Sequence, residues 1–189
     1  MEPQCIVLLF GKRKCGKDYF ASELAKNFTK VSILHLSNPI KRDFAQLHGL
    51  NYEELLTSSA YKDIYRKEMI AFGEAQRNLD SFVFCQGVTK DVTSDVWIVV
   101  DNRRPTDLEY FTLTYPDKCM TVKITANEST RQGRGWTWTE GVDNVTSECG
   151  LDHWVPDLVV DNSEGSSEVF NQSLGFVKTF CERLSKQSY

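Results

Sequence analysis

Cys5-Ile6-Val7-Leu8-Leu9-Phe10, followed at once by Gly11-Lys12-Arg13-Lys14-Cys15-Gly16-Lys17-Asp18, is the stretch from which the fold can be read. Six consecutive apolar residues fit a strand covered on both faces, because a sheet surface open to water would interrupt the run with polar residues. The loop after it has the spacing G-x-x-x-x-G-K. Gly11 and Gly16 accept backbone conformations that other residues resist, so successive N–H groups can turn inward on a phosphate. Lys17 adds a point charge where β- and γ-phosphates would lie, and a helix starting near Asp18 presents its positive end to the same anion. Residues 11–18 are therefore expected to form a phosphate-binding loop, with Lys12, Arg13, Lys14 and Cys15 forming the turn between the glycines. Asp18 stands where a Ser or Thr hydroxyl usually reaches Mg²⁺, which leaves the metal arrangement open.

The chain has 189 residues, a length that predicts one domain able to bury a core without staples. Its 22 basic and 26 acidic residues, net charge −4, set up no bulk field for nucleic acid or an anionic membrane, so an anion site has to be built locally. No apolar run approaches the length needed to cross a bilayer. Met1-Glu2-Pro3-Gln4 lacks the basic start of a secretory signal, which predicts a cytosolic protein. The 6 cysteines are scattered with no Cys-x-x-Cys, the pattern of free thiols in a reducing compartment.

Outward from the loop, Tyr19 to Phe28 is expected as a helix and Val31 to Leu36 as a second strand. Ser37-Asn38-Pro39 reads as a turn or cap, and Ile40 to Leu47 as a helix bearing Lys41 and closed by Gly49. Asn51 can cap a short helix, and Ser58-Ser59 restart the chain into a longer one. On that helix Lys62, Arg66, Gly73 and Arg77 fall on one side, expected as a basic rail, while Tyr61, Ile64, Ala71, Phe72, Ala75 and Leu79 gather opposite as the expected core face. Glu68 falls inside the apolar sector. Gly73, lacking a side chain between two arginine turns, suits close ligand approach. Phe82 to Val92 is a further helix candidate.

Val96 to Val100 is the next buried strand, ending in Asp101-Asn102-Arg103-Arg104. A carboxylate at the carboxyl end of a strand beside a phosphate loop is placed to hold Mg²⁺ or its water shell, so Asp101 joins Asp18 as a candidate metal residue. Arg103 and Arg104 offer planar forks that match phosphate oxygens. Pro105 opens a helix, Cys119 to Ala126 is a fourth strand, and Asn127 or Ser129 starts another helix. The segment from Arg131 through Gly133-Arg134-Gly135-Trp136 to Glu148, rich in glycine and poor in aliphatics, reads as a mobile excursion outside the core. Its arginines suit a flap closing over a phosphoryl donor. Aromatics interleaved with arginine can instead stack RNA, but Glu140, Asp143 and Glu148 oppose that. Pro156 to Asn162 is a fifth strand and Ser166 to Leu184 a closing amphipathic helix.

Five strands alternating with helices give an α/β fold: a five-stranded parallel sheet with helices on both faces. The expected organisation is a single P-loop kinase domain with core segments 4–36, 95–126 and 156–186, an acceptor-binding insertion 37–94 and a lid 127–152. Lys41, Lys62, Arg66, Arg77, Arg103, Arg104, Arg131 and Arg134 exceed what a triphosphate requires, so the acceptor is expected to be anionic too. A phosphate acceptor is already deprotonated near neutral pH, and then positioning and charge stabilisation carry the rate.

Gly11-Lys-Arg-Lys-Cys-Gly-Lys-Asp18, Leu36-Ser-Asn-Pro-Ile-Lys41, Tyr61-Lys-Asp-Ile-Tyr-Arg66, Asp101-Asn-Arg-Arg104, Arg131-Gln-Gly-Arg-Gly-Trp136 and Ser147-Glu-Cys-Gly-Leu-Asp152 together resemble the animal-type phosphomevalonate kinases, from residue 5 to the last helix. That family also carries Lys-Asp where other P-loop proteins have Lys-Ser or Lys-Thr. The resemblance implies ATP- and Mg²⁺-dependent conversion of 5-phosphomevalonate to 5-diphosphomevalonate and ADP, in isoprenoid and sterol precursor synthesis. It implies that Lys17 and Arg13 serve ATP phosphates, that Arg77, Arg103 and Arg104 hold phosphomevalonate with Lys41, Lys62 and Arg66 in support, and that Arg131 and Arg134 close from the lid. Lys17, Arg13, Arg104 and Arg134 are the residues expected to carry the transfer. Cys15 departs from the small Ser common in relatives, which suggests a thiol-sensitive loop. The expected form is a monomer acting on small molecules, without nucleic acid or membrane partners. A nucleoside-monophosphate kinase and a non-catalytic phosphate-binding switch are the alternatives; the absence of Asn-Lys-x-Asp and Asp-x-x-Gly disfavours the switch.

Overall fold

The computed structural model describes residues 2–57 and 60–187. The expected helix restart at Ser58-Ser59 lies outside them. Strand β1 (Cys5–Phe10) is the centre of a five-stranded parallel sheet, paired with β3 (Val96–Asn102) on one side and β4 (Cys119–Thr125) on the other. Strands β2 (Val31–His35) and β5 (Leu158–Asp161) form the edges, giving the order β2-β3-β1-β4-β5.

The unbroken apolar run of β1 follows from double coverage. Cys5, Val7 and Leu9 enter one core with Phe20, Ala21 and Leu24 of helix α1 (Lys17–Ala25) and with Phe170, Val177 and Cys181 of the last helix. Ile6, Leu8 and Phe10 point the other way, into a core with Trp97, Leu108 and Phe111. Side chains of a strand alternate between faces, so each face of β1 needed its own apolar set.

The β1/β3 register slips between Leu8 and Phe10: Leu8 faces Val99, whereas Phe10 faces Asn102. The extra residue on β3 accompanies Asp101 at φ 66°, a left-handed backbone that is uncommon outside glycine. Such irregularities turn a side chain away from the sheet's normal alternation, and this one lies at the carboxyl edge beside the phosphate loop.

Between β2 and β3 stand α2 (Ser37–His48), α3 (Tyr52–Leu56), α4 (Ala60–Leu79) and α5 (Val83–Thr89). Phe44, Ala45, Leu55 and Met69 give α2, α3 and α4 a small core of their own. Gly49 ends α2 at φ 64°, and the Asn51 side chain caps α3 by accepting from the N–H groups of Glu53 and Glu54. Helix α2 already begins at Ser37, so Pro39 lies inside its first turn and the Ser37 side chain makes no cap.

Helix α4 corrects the expected orientation. Ile64 is 70 % exposed and Leu79 84 %, and Ala71 and Ala75 are exposed as well, whereas Gly73 is buried and Lys62, Arg66 and Arg77 are half-buried. The face expected to be core largely meets solvent, with Tyr61 and Phe72 alone of that set packed against the small core. Charged residues turn inward because they line a cleft. Gly73 packs against α2: a Cβ there would meet the Ile40 side chain at 3.4 Å, an ordinary contact.

After β3 come α6 (Pro105–Thr114), then α7 (Glu128–Gly133) and α8 (Thr146–Cys149) between β4 and β5, and α9 (Ser167–Gln187). The segment around α7 and α8 is not excluded from packing: Trp136, Val142 and Leu151 are buried, and Glu148 is 8 % exposed.

Candidate active site

The phosphate loop is held open by its surroundings. Gly11 (φ 142°) and Gly16 (φ 97°) both need the left-handed side of backbone space, and a Cβ at Gly11 would fall 2.1 Å from the Ile124 carbonyl oxygen. A Cβ at Gly16 would fall 2.0 Å from the side-chain nitrogen of Asn162, which itself donates to the Cys15 carbonyl at 2.9 Å. Lys17 is buried, and its Nζ donates to the carbonyls of Gly11 (2.8 Å) and Lys12 (3.2 Å), so the ammonium spans the loop from within. Lys14 is exposed at φ 62°, and Lys12 turns away from the loop to bond Asp152 at 2.8 Å. The Cys15 thiol is 1 % exposed and belongs to the sheet core, so reagents reach it only when the loop opens.

Both arginines of the excursion meet this loop. Arg131 donates from Nε to the Arg13 carbonyl at 2.8 Å, with its guanidinium 4.0 Å over the Trp136 ring. Arg134 donates to the Lys14 carbonyl at 3.3 Å, the Cys15 carbonyl at 3.1 Å and the Asn162 carbonyl at 2.7 Å. Two acids of the same segment hold the cations around the loop. Asp143 pairs with Arg13 at 3.0 Å and also accepts from Trp136, while Glu148 accepts from Arg103 at 2.5 Å and from the backbone N–H of Arg13.

In front of the loop lies a cleft of about 410 Å³. Arg13 and Asp18 of the loop, Asp101, Arg103 and Arg104 after β3, Arg77 of α4, and a cluster of Lys41, Lys62 and Arg66 all line it. The two arginines after β3 and the arginine of α4 are organised by Asp107, which is fully buried. Its carboxylate pairs with Arg77 and accepts from the N–H groups of Arg103 (2.8 Å) and Arg104 (3.0 Å). The Arg77 guanidinium also lies 5.1 Å over Phe84, and Arg104 faces Glu74. Burial lowers the Arg103 pKa, but Glu148 and Asp101 outweigh it and raise the value overall.

Around Lys41, Lys62 and Arg66 the chemistry differs. Burial, then the neighbouring Lys41 and Arg66, pull the Lys62 pKa down to about 8, and burial likewise lowers that of Lys41 against the attraction of Asp101 and Asp18. Lys41 donates to Asn38 at 3.3 Å and Arg66 pairs with Asp63 at 2.6 Å.

Asp101, Asp18 and His35 meet at the edge of the sheet. Ser37 donates from Oγ to Asp101 at 2.8 Å, and His35 Nδ1 lies 3.7 Å from Asp101 and 3.9 Å from Asp18. Burial alone would raise the Asp101 pKa, but His35, Arg103, Lys17 and Ser37 hold its carboxyl far below the usual range. Among the described residues no group of three or more His, Cys, Asp or Glu could by itself hold a metal ion. Two carboxylates beside a phosphate cradle nonetheless fit Mg²⁺, which commonly takes one or two protein oxygens and completes its shell from phosphates and water.

Asp107, Asp143, Glu148, His35 and Asn162 were not singled out for the site by sequence. Asp107 had a local signal, since Arg104-Pro105-Thr106-Asp107 places an acid at the third position of a helix opened by proline, where its carboxylate accepts from the backbone N–H of the capping residue Arg104. The others act across more than a hundred residues of chain or across strands, and no local pattern marks them.

The sequence model of the phosphomevalonate kinase family matches residues 9–117. A phosphomevalonate kinase of Drosophila melanogaster is 38 % identical over 167 residues, covering 84 % of this chain and 88 % of that protein. A gluconokinase from Sinorhizobium meliloti superposes with a TM-score of 0.56 at 11 % identity, over 100 % of both chains. A shikimate kinase from Aquifex aeolicus does so with a TM-score of 0.53 at 14 % identity, over 92 % of this chain and 96 % of that one. At such identities the two structures speak for the fold alone.

Proposed function

The chain belongs to the phosphomevalonate kinase family, and from that premise we propose how its residues share the ATP-dependent phosphorylation of 5-phosphomevalonate to 5-diphosphomevalonate. The observation that carries the reading is the cleft that joins Arg13 and Asp18 of the phosphate loop to Arg77, Arg103, Arg104, Lys41, Lys62 and Arg66 within one 410 Å³ space. The loop amides of residues 11–18 and Lys17 take the nucleotide phosphates, with Arg13, Arg131 and Arg134 adding charge from the loop and the 127–152 segment. Arg103, Arg104 and Arg77 hold the acceptor phosphate, and Lys41, Lys62 and Arg66 take the other end of the acceptor. An acceptor oxygen that is already anionic needs no general base, so the protein's task is to bring two repelling anions into line and spread the charge that develops. Asp18 and Asp101 would hold Mg²⁺, which when bound neutralises phosphate charge.

Segments 37–94 and 127–152 serve as acceptor-binding insertion and lid on this reading. A monomer working in the cytosol fits it too; among the described residues no helix is long and apolar enough to cross a membrane. Release of ADP is measured with 5-phosphomevalonate and with a panel of nucleoside monophosphates as acceptors. Turnover confined to phosphomevalonate is expected. Turnover with a nucleoside monophosphate alone would replace the acceptor, and hydrolysis without any acceptor would point to a switch.

A further inference from the structure

The carboxylate of Glu148 sits where the 127–152 segment, the phosphate loop and the acceptor arginines meet. Helix α8 is a single turn, yet its Glu148 is 8 % exposed, and a buried carboxylate is costly unless paired. Both oxygens are used: one accepts from the Arg13 backbone N–H, the other from the Arg103 guanidinium at 2.5 Å. The Glu148 carbonyl takes the Lys12 ammonium at 3.1 Å. The end of α8 also touches Arg103 directly, because a Cβ on Gly150 would lie 2.7 Å from the Arg103 carbonyl oxygen. Arg103 in turn reaches the Gly11 carbonyl at 3.4 Å. Among the described residues, no other side chain bonds both an acceptor-site arginine and the loop that holds the donor.

We propose that Glu148 is a positioning residue for phosphoryl transfer: its carboxylate locks the Arg103 guanidinium against the phosphate loop, so that packing of the 127–152 segment is what readies the acceptor site. The inference rests on the phosphomevalonate kinase reading. An alternative geometry, in which Glu148 merely occupies the place of a phosphate, makes the opposite forecast, since removing its charge would then strengthen substrate binding.

The test is a double-mutant cycle on kcat/KM for 5-phosphomevalonate at saturating ATP, with Glu148→Gln, Arg103→Met and the pair. Gln keeps an acceptor for the Arg13 N–H and removes the charge that orients Arg103. Glu148→Gln is expected to lower kcat/KM by about tenfold or more with the KM for ATP little changed, and to add less than about twofold in the Arg103→Met background. A merely structural contribution would add in full to the loss from Arg103→Met, and that result overturns the proposal. A Glu148→Gln enzyme as active as wild type, or more so, overturns it equally. Should Glu148→Gln not fold, Glu148→Asp, too short to bridge both partners, is expected to show the same deficit and the same lack of additivity. Wild-type enzyme without phosphomevalonate-dependent ADP release would remove the underlying reading itself, a failure distinct from additivity in the cycle.

Discussion

Two groups of cations around the cleft hold their positive charge in different ways. In the first, Lys17, Arg131 and Arg134 are bonded to loop carbonyls, while Arg13, Arg103 and Arg77 are paired with Asp143, Glu148 and Asp107. In the second, Lys41, Lys62 and Arg66 crowd one another, and among the described residues Lys62 has no carboxylate within ion-pair distance. A paired guanidinium is fixed before substrate arrives and costs little to reorganise, as electrostatic catalysis demands. Crowded ammonium groups are instead a standing repulsion that a bound anion relieves. The first group is built for geometry and the second for attraction.

The comparison is tested hardest at Lys17. Lys17→Met should lower kcat by about a thousandfold while circular dichroism and melting remain those of wild type, since the loss is of transition-state charge; ordinary kinetics would remove Lys17 from the reaction. Next comes Asp107→Ala, which leaves Arg77 buried without its partner and should destabilise the fold by about 3 kcal/mol in urea unfolding. A loss below about 1 kcal/mol would mean that Arg77 finds solvent or another acid. Arg104→Met should raise the KM for phosphomevalonate by about tenfold with kcat nearly preserved, and a kcat defect of that size instead would move Arg104 from binding to the transition state.

The crowded group gives a pH test. Folding lowers the Lys62 pKa from 10.5 to about 8, so the unfolded chain binds more protons between those values and this residue's contribution to stability rises with pH across that window. Its attraction for an anion runs the other way and fades above a pH of about 8. The acceptor KM should therefore climb on that side, and Lys62→Met should flatten the climb; an identical profile in the variant would detach Lys62 from the acceptor. The smallest effect is expected on the outer face of α4. Ile64→Lys and Leu79→Lys should change stability by no more than about 0.5 kcal/mol, because both side chains already stand in water.

That last pair marks where sequence reasoning failed. The amphipathic division of α4 was visible in its periodicity, but periodicity tells only that two faces differ, and the rule that apolar residues point inward picked the wrong one. It failed because the interior on that side is a polar cleft: Lys62, Arg66 and Arg77 are drawn to it, and the small apolar core above takes only Met69, Tyr61, Tyr65 and Phe72 from the helix. The excursion at 131–148 failed for a related reason. Few aliphatics argued against burial, yet Trp136 is buried through its stacking with Arg131 and its bond to Asp143, contacts between polar partners that a hydrophobic pattern does not register.

By itself the sequence determined the phosphate loop, the five parallel strands and the set of cations, because each is written in neighbouring residues: an apolar run, a glycine spacing, a fork of adjacent arginines. Which acid holds which cation was decided only by the tertiary structure. Glu148 and Arg103 stand 45 residues apart, Arg13 and Asp143 130, and Arg77 and Asp107 30, so their pairing depends on strand order and helix docking. Charges act through space, and the distance along the chain carries no record of it.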